Sequence, residues 1–102
     1  MRRTRRRYLL FHLHSEDSEI NGKQLGSAIW KNLLSLYGEI SAADSKLYLV
    51  EFDEKTGAGI LQCTAASLDN VITSAVLIGS IRKKLVSFEP KKTSGTIKAL
   101  KR

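Results

Sequence analysis

The chain has 102 residues, 42% hydrophobic and 26% charged, with seventeen Lys and Arg against ten Asp and Glu, a net charge of +7. This length predicts one domain over residues 1–102, with the composition of a folded globular protein. The apolar runs are too short for a membrane span, and the N-terminus lacks the apolar run of a secretory signal. A single cysteine excludes an internal disulfide, so we expect a cytoplasmic protein that is not bound to a membrane.

The positive charge is concentrated at the two ends of the chain. The basic arm 1–7 holds five arginines, and the basic segment 82–102 holds eight Lys or Arg against one Glu, so the ends together carry +12. The body between them carries −5. Basic ends are typical of proteins that bind a polyanion, because Lys and Arg displace the counterions condensed on phosphates. A solvated tail that only raises solubility is the alternative interpretation.

The first elements in chain order are a strand and a helix. Alternating apolar residues over 8–14 predict the strand. Asn21 is a good helix N-cap, Gln24 is placed to complete a capping box, and Gly38 is expected to end the helix. The predicted buried stripe of the helix comprises Leu25, Ala28, Ile29, Leu33 and Leu36. Three further apolar side chains widen this stripe and predict a surface for a protein partner, namely Trp30, Leu34 and Tyr37.

The remaining elements are a hairpin, a second helix, a fourth strand and a terminal helix. Their predicted ranges are strands over 46–53, 58–64 and 84–89, a helix that begins near residue 64 or 67 and carries its apolar stripe to residue 78, and a helix over 97–102. Gly57 is free to take the positive φ that the hairpin turn needs, and Pro90 is expected to stop the fourth strand. The order β-α-β-β-α-β predicts an α+β fold, a two-layer α/β sandwich with a ferredoxin-like antiparallel sheet plus a C-terminal helix.

Few residues offer catalytic chemistry. Cys63 has no activating base in its sequence neighbourhood and is predicted to be a small apolar residue of the third strand. His12 and His14 share a strand face, a spacing that can bind a metal, but the sequence supplies no further ligand, so no metal is predicted on the protein. Glu51 and Asp53 could hold Mg²⁺ as in a nuclease, although a polar strand end leading into a turn is the simpler interpretation.

A ferredoxin-like sheet is also the fold of RNA-recognition modules, whose third strand carries aromatic side chains that stack on bases. In this chain the corresponding stretch, residues 56–63, has glycines but no aromatic residue. If the chain binds RNA, we therefore expect recognition through charge and shape rather than through base stacking on that strand.

Four stretches of the sequence are distinctive when taken in order. They are Arg7–Leu10 (RYLL), Leu33–Glu39 (LLSLYGE), Glu51–Leu61 (EFDEKTGAGIL) and Ser94–Lys101 (SGTIKALK). Together they resemble the small protein subunit of archaeal and eukaryotic ribonuclease P, component 2, from about residue 7 to 102. In one respect the chain departs from this family, because Gln62 stands where many relatives have a basic residue, so a phosphate contact is not expected there.

The resemblance implies an RNA-recognition-like, non-catalytic subunit of the ribonucleoprotein that removes the 5′ leader of precursor tRNA. In that family the RNA performs hydrolysis with Mg²⁺, so the ion is expected at the RNA active site and no cofactor is expected on the protein. The implied partners are the ribonuclease P RNA, the larger barrel-fold protein subunit and, through the complex, precursor tRNA. A homodimer is an alternative occupant of the apolar helix surface.

Seven basic residues at the two ends are predicted to contact RNA: Arg5, Arg6, Arg7, Lys91, Lys92, Lys98 and Lys101. Two other functions are compatible with the fold. One is a small-molecule-binding ferredoxin-like regulatory module, against which the charge of +12 at the ends argues. The other is a metal-dependent nuclease that uses Glu51 and Asp53.

Overall fold

The computed structural model describes residues 5–16, 20–81 and 83–101. Residues 1–4 of the predicted basic arm, and Arg82 and Arg102 of the predicted basic segment, lie outside the described residues. The elements are β1 (Arg6–Ser15), α1 (Gly22–Ser45), β2 (Tyr48–Phe52), β3 (Ala58–Thr64), a 3-10 turn (Ala65–Ser67), α2 (Leu68–Val76), β4 (Ser80–Ile81), β5 (Lys84–Ser94) and α3 (Ile97–Leu100).

The strands form one sheet in the order β2-β3-β1-β5-β4, and every neighbouring pair is antiparallel. With β5 as the fourth strand of the βαββαβ plan, the order is that of a ferredoxin-like sheet, which confirms the predicted fold class. The fifth strand, β4, was not predicted, because two residues are too short to show a periodic pattern.

The core lies between one face of the sheet and the two long helices. Side chains of β1 alternate as predicted, with Leu9, Phe11 and Leu13 buried. They share a cluster with buried residues of the helices, among them Leu33 of α1 and Val71 of α2. The two helices therefore occupy one face of the sheet, and alternate residues of β1 are left on the other.

The start of α1 is fixed by a complete capping box. The Asn21 side chain accepts a hydrogen bond from the Gln24 backbone N–H at 2.9 Å, and the Gln24 side chain accepts one from the Asn21 N–H at 3.0 Å. We expect Asn21→Ala to lower the free energy of unfolding by about 1 kcal/mol, because the Gln24 N–H loses its side-chain acceptor and half of the capping box is removed. Urea denaturation measures this change, and Asn21→Asp, which keeps a side-chain acceptor, is the matched control. Equal losses in the two variants would contradict the capping role.

The predicted end of α1 at Gly38 is wrong in one respect. Gly38 does take positive φ (88°) and interrupts the helix, but helical structure resumes and continues to Ser45. Leu36 was predicted to belong to the buried stripe of α1, but it is 48% exposed. The buried leucine and isoleucine side chains of α1 are four residues apart, at Leu25, Ile29 and Leu33, and Leu36 falls outside this series. No helix in the described part of the chain, α1 included, is both long and apolar enough to cross a bilayer.

The sequence predicted that Pro90 would stop the fourth strand, and this prediction is wrong. β5 continues to Ser94, and the register shifts between Leu10 and Phe11 of β1, where Pro90 faces Phe11 and Lys92 faces Leu10. The extra residue, Lys91, forms a β-bulge. Because β4 pairs only with Lys84 and Leu85, the far side of β5 at Pro90 is a free edge among the described strands, where a missing N–H costs no ladder bond.

The terminal helix α3 packs on the sheet face opposite α1 and α2. Leu100 and Ile60 are buried but stand outside the main core cluster, and α3 contacts β1 and β5. Thr96 caps the helix by accepting a hydrogen bond from the Ala99 N–H, and Lys101 forms an ion pair with Glu51 on β2 at 2.8 Å. This helix therefore crosses the sheet from β5 toward β2 and covers the middle of the second face.

Candidate nucleic-acid interface

The structure brings the start of β1 and the end of β5 together. Tyr8 of β1 faces Ser94 at the end of β5, so Arg7 adjoins the residues that lead into α3. The Arg7 guanidinium reaches within 3.7 Å of the position that a Cβ at Gly95 would occupy. All seven basic residues predicted to contact RNA therefore lie on, or directly beside, three neighbouring elements: β1, β5 and α3.

These seven residues, which we call the basic surface, differ in how many of their charges are already paired. Lys91 lies 3.1 Å from Glu89, Lys101 lies 2.8 Å from Glu51, and the Lys92 ammonium donates to the Ala99 carbonyl at 3.2 Å. Within the described ranges, Arg5, Arg6 and Lys98 are exposed and have no such side-chain partner. We therefore expect these three residues to supply the cations most available to a phosphate.

The bulge in β5 gives the basic surface two adjacent lysines on one side of the sheet. Lys91 pairs with Glu89, which faces His12, and Lys92 faces Leu10, so both side chains belong to the face that α3 occupies. The hydrogen bonds that Glu89 accepts from His14 and Lys91 lower the pKa of Glu89.

The predicted basic segment 82–102 is divided by β5 itself. Lys84 begins this eleven-residue strand and Lys83 directly precedes it, whereas Lys92 stands near its end. At about 3.3 Å per residue the two groups are separated by roughly 25 Å. Lys83 and Lys84 are therefore separate from the basic surface, which extends from the arginines at the start of β1 to Lys91 beside Glu89.

Two tyrosines lie beside the basic surface, on the two strands that flank β3. Tyr8 on β1 and Tyr48 on β2 both face Gln62 on β3. The three residues form a row across the sheet, on the face opposite the main core. Tyr48 is 61% exposed. A tyrosine ring in this setting can stack on a nucleobase, so the aromatic residues absent from β3 are present on its neighbours. Only the strand order reveals this, since the three residues are far apart in sequence.

The three side chains predicted to form a protein-binding surface are only partly available. Trp30 is 39% exposed, whereas Leu34 and Tyr37 are half-buried against the core. Other apolar residues on α1 are more accessible, with Leu36 48% and Ile40 80% exposed. The exposed apolar area on α1 is therefore centred further toward its C-terminal end than the sequence predicts.

The residues considered for a catalytic role have structural partners. Asp53 Oδ1 accepts hydrogen bonds from the Lys55 and Thr56 N–H groups in the hairpin turn, and Glu51 is paired with Lys101. Cys63 is buried as predicted, and burial raises its pKa to about 11, against a smaller opposing effect of Arg7. A thiol in this state is protonated at neutral pH and is a poor nucleophile.

The fold and the basic surface define an RNA-recognition-like α/β sandwich whose second sheet face carries cations and a terminal helix. Within that class, the chain belongs to the Rpp14/Pop5 family, whose family model matches residues 7–102.

Similar proteins agree with this assignment. The chain is 36% identical over 100 residues to ribonuclease P protein component 2 of Pyrococcus furiosus, covering 98% of this chain and 82% of that protein. It is also 36% identical over 103 residues to the protein of the same name from Archaeoglobus fulgidus, with 98% and 88% covered. A chain in the cryo-EM structure of yeast ribonuclease MRP has the same fold, with a TM-score of 0.70, 13% identity, and coverage of 94% of this chain and 78% of that one.

Proposed function

We propose that this chain is a protein subunit of a ribonuclease P ribonucleoprotein and assists the catalytic RNA in removing the 5′ leader of precursor tRNA. The observation that carries the proposal is family membership over residues 7–102, with relatives named ribonuclease P protein component 2 across 98% of the chain. The same role implies a cytoplasmic location, since precursor tRNA is processed inside the cell.

The basic surface explains how such a subunit would assist an RNA enzyme. Folded RNA brings phosphates together, and their repulsion must be offset by cations. Arg5, Arg6 and Lys98 would supply fixed charges at the end of the sheet and so reduce the Mg²⁺ concentration that folding of the RNA requires. The Mg²⁺ that performs hydrolysis would belong to the RNA, and the chain alone would be inactive. The engagement of Glu51 and Asp53 in other contacts supports this division of labour.

For the protein partner we propose the exposed apolar part of α1, which includes Trp30. Leu34 and Tyr37 would support it from beneath, because both pack against the core. The larger barrel-fold subunit is the proposed occupant, with a second copy of this chain as the alternative. Sedimentation of the chain with and without that subunit distinguishes the two partners.

Reconstitution tests the proposed function. We expect that omitting this chain from a mixture of the cognate RNA and its other protein subunits lowers precursor tRNA processing at least about tenfold at low Mg²⁺, and less at high Mg²⁺. Unchanged processing at low Mg²⁺ would contradict the proposal.

The same assay addresses the nuclease alternative. The purified chain with Mg²⁺ and no RNA subunit is expected to leave precursor tRNA intact. Cleavage that is lost in Glu51→Ala or Asp53→Ala would instead identify the chain itself as the nuclease.

A further inference from the structure

Three metal-ligating side chains meet at the opposite end of the sheet from the basic arginines. His12 and His14 lie two residues apart on one face of β1, and Glu89 on β5 faces His12 in the strand register. The two imidazole rings have their centroids 4.2 Å apart. One ligand atom from each of the three residues lies within 4.8 Å of the other two.

The spacing of these atoms is close to what a single ion needs. Ligands about 2.1 Å from a tetrahedral ion are about 3.4 Å from one another. The His14 Nε2 and Glu89 Oε1 atoms are 2.8 Å apart, so a bound ion would replace their hydrogen bond with little movement. The side chains of His14 and Glu89 are 51% and 46% exposed. They are therefore free to rotate and to shorten the longest of the three distances between ligand atoms.

The orientation of the His12 ring is fixed by a hydrogen bond to the hairpin turn. Its Nε2 atom donates to the Thr56 carbonyl, which can only accept, so Nδ1 is the nitrogen that the neutral ring offers to a metal ion. Metal-ligating histidines commonly donate their second N–H to a backbone carbonyl in this way. The hairpin turn accommodates the ring because Gly57 has no side chain, since a Cβ there would lie 2.9 Å from His12 Cδ2.

We propose that His12, His14 and Glu89 bind one divalent transition-metal ion of the Zn²⁺ class. Two imidazoles and one carboxylate suit Zn²⁺ and similar ions, whereas Mg²⁺ prefers oxygen ligands alone. The site would keep open coordination positions, because these three side chains are its only described protein ligands and a cleft of about 360 Å³ adjoins the two histidines. A water molecule or a phosphate oxygen could occupy them. The proposal rests on these three side chains and not on the proposed RNA-subunit function, although the neighbouring Lys91 belongs to the basic surface.

One neighbouring charge opposes cation binding and provides a sharp test. The Lys91 ammonium lies 3.1 Å from Glu89 Oε2 and already neutralises part of the carboxylate charge. Replacing Lys91 by methionine removes this competing cation and keeps the aliphatic length of the side chain. Lys91→Met should therefore bind the metal more tightly than the wild-type chain does.

Calorimetric titration of the full chain with Zn²⁺, and the visible absorption of bound Co²⁺, test the proposal. We expect one ion per chain, at least ~10-fold weaker binding in His12→Ala, His14→Ala and Glu89→Gln, and tighter binding in Lys91→Met. Mg²⁺ at the same concentrations should give no heat of binding. Glu54→Gln removes a carboxylate that lines the same cleft and serves as the matched control, with unchanged affinity.

The variants replace surface or half-buried side chains, and thermal unfolding followed by circular dichroism checks that each one is folded. A Zn²⁺ affinity that is the same in Glu89→Gln as in the wild-type chain would overturn the proposal. So would the absence of binding in both the wild-type chain and Lys91→Met. Binding that is lost only in Cys63→Ser would place the ion elsewhere and would also overturn it.

Discussion

Replacing Arg5, Arg6 and Lys98 by glutamine is expected to weaken binding to the ribonuclease P RNA about 10- to 100-fold at 0.1 M salt. These residues are the exposed cations of the basic surface that have no side-chain partner within the described ranges. Each phosphate contact releases nearly one counterion, so the slope of log affinity against log salt should fall by about 2 to 3. Filter binding or fluorescence anisotropy across a salt series measures both quantities.

A second triple variant separates the basic surface from net charge. Lys23, Lys31 and Lys55 are exposed residues of the acidic body, and their replacement by glutamine removes the same three charges. We expect this control to change affinity by less than about threefold and to leave the salt slope nearly unchanged. Equal losses in the two triple variants would show that binding depends on overall charge and would contradict a defined RNA site at the end of the sheet.

Adding one methyl group at Gly59 is expected to destabilise the whole domain. Gly59 lies on β3 between Phe11 of β1 and Phe52 of β2. A Cβ there would be 2.5 Å from Phe11 Cζ and 2.8 Å from the Glu51 carbonyl oxygen, and the Phe11 ring is itself stacked on Phe88 at 4.6 Å. We expect Gly59→Ala to lower the free energy of unfolding by about 3 kcal/mol and the Tm by roughly 10–20 °C.

At a second glycine, Gly26, replacement by alanine is expected to stabilise the protein. A Cβ at Gly26 on α1 would have no atom within 4 Å, and alanine is the better helix former, so Gly26→Ala should stabilise the protein by about 0.5–1 kcal/mol. Calorimetric unfolding of both variants measures these changes. Phe11→Leu in the Gly59→Ala background should cost less than the sum of the single changes, because the smaller side chain leaves room for the methyl group. Strict additivity would contradict the proposed clash.

The features that the sequence predicts well depend on residues close together in the chain. The alternation in β1, the Asn21–Gln24 capping box and the Gly57 turn are each contained within a few positions, and all three are confirmed. The extension of β5 past Pro90 was not predicted. It depends on a bulge opposite Leu10, on a strand about eighty residues away in sequence.

In the candidate sites, too, the sequence predicts what depends on neighbouring residues and misses what depends on strand pairing. The composition identifies which residues are basic, but only the pairing of β1 with β5 brings Arg7 beside Gly95 and separates Lys84 from Lys92. Glu89 was not considered beside the two histidines, because its sequence distance from them is large and its register position is set by the sheet. The role of the seven basic residues in binding RNA stays a prediction.

The pairing of β1 with β5 also has a consequence for the order of events during synthesis. β1 emerges first, yet one of its two neighbouring strands is complete only when Ser94 has been added. Pairing across such a sequence separation is slow and must wait for the later segment. A nascent or prematurely terminated chain would therefore carry its arginines without the lysines that complete the basic surface. The basic surface is therefore complete only after residues 91–101 have been added and β5 has paired with β1.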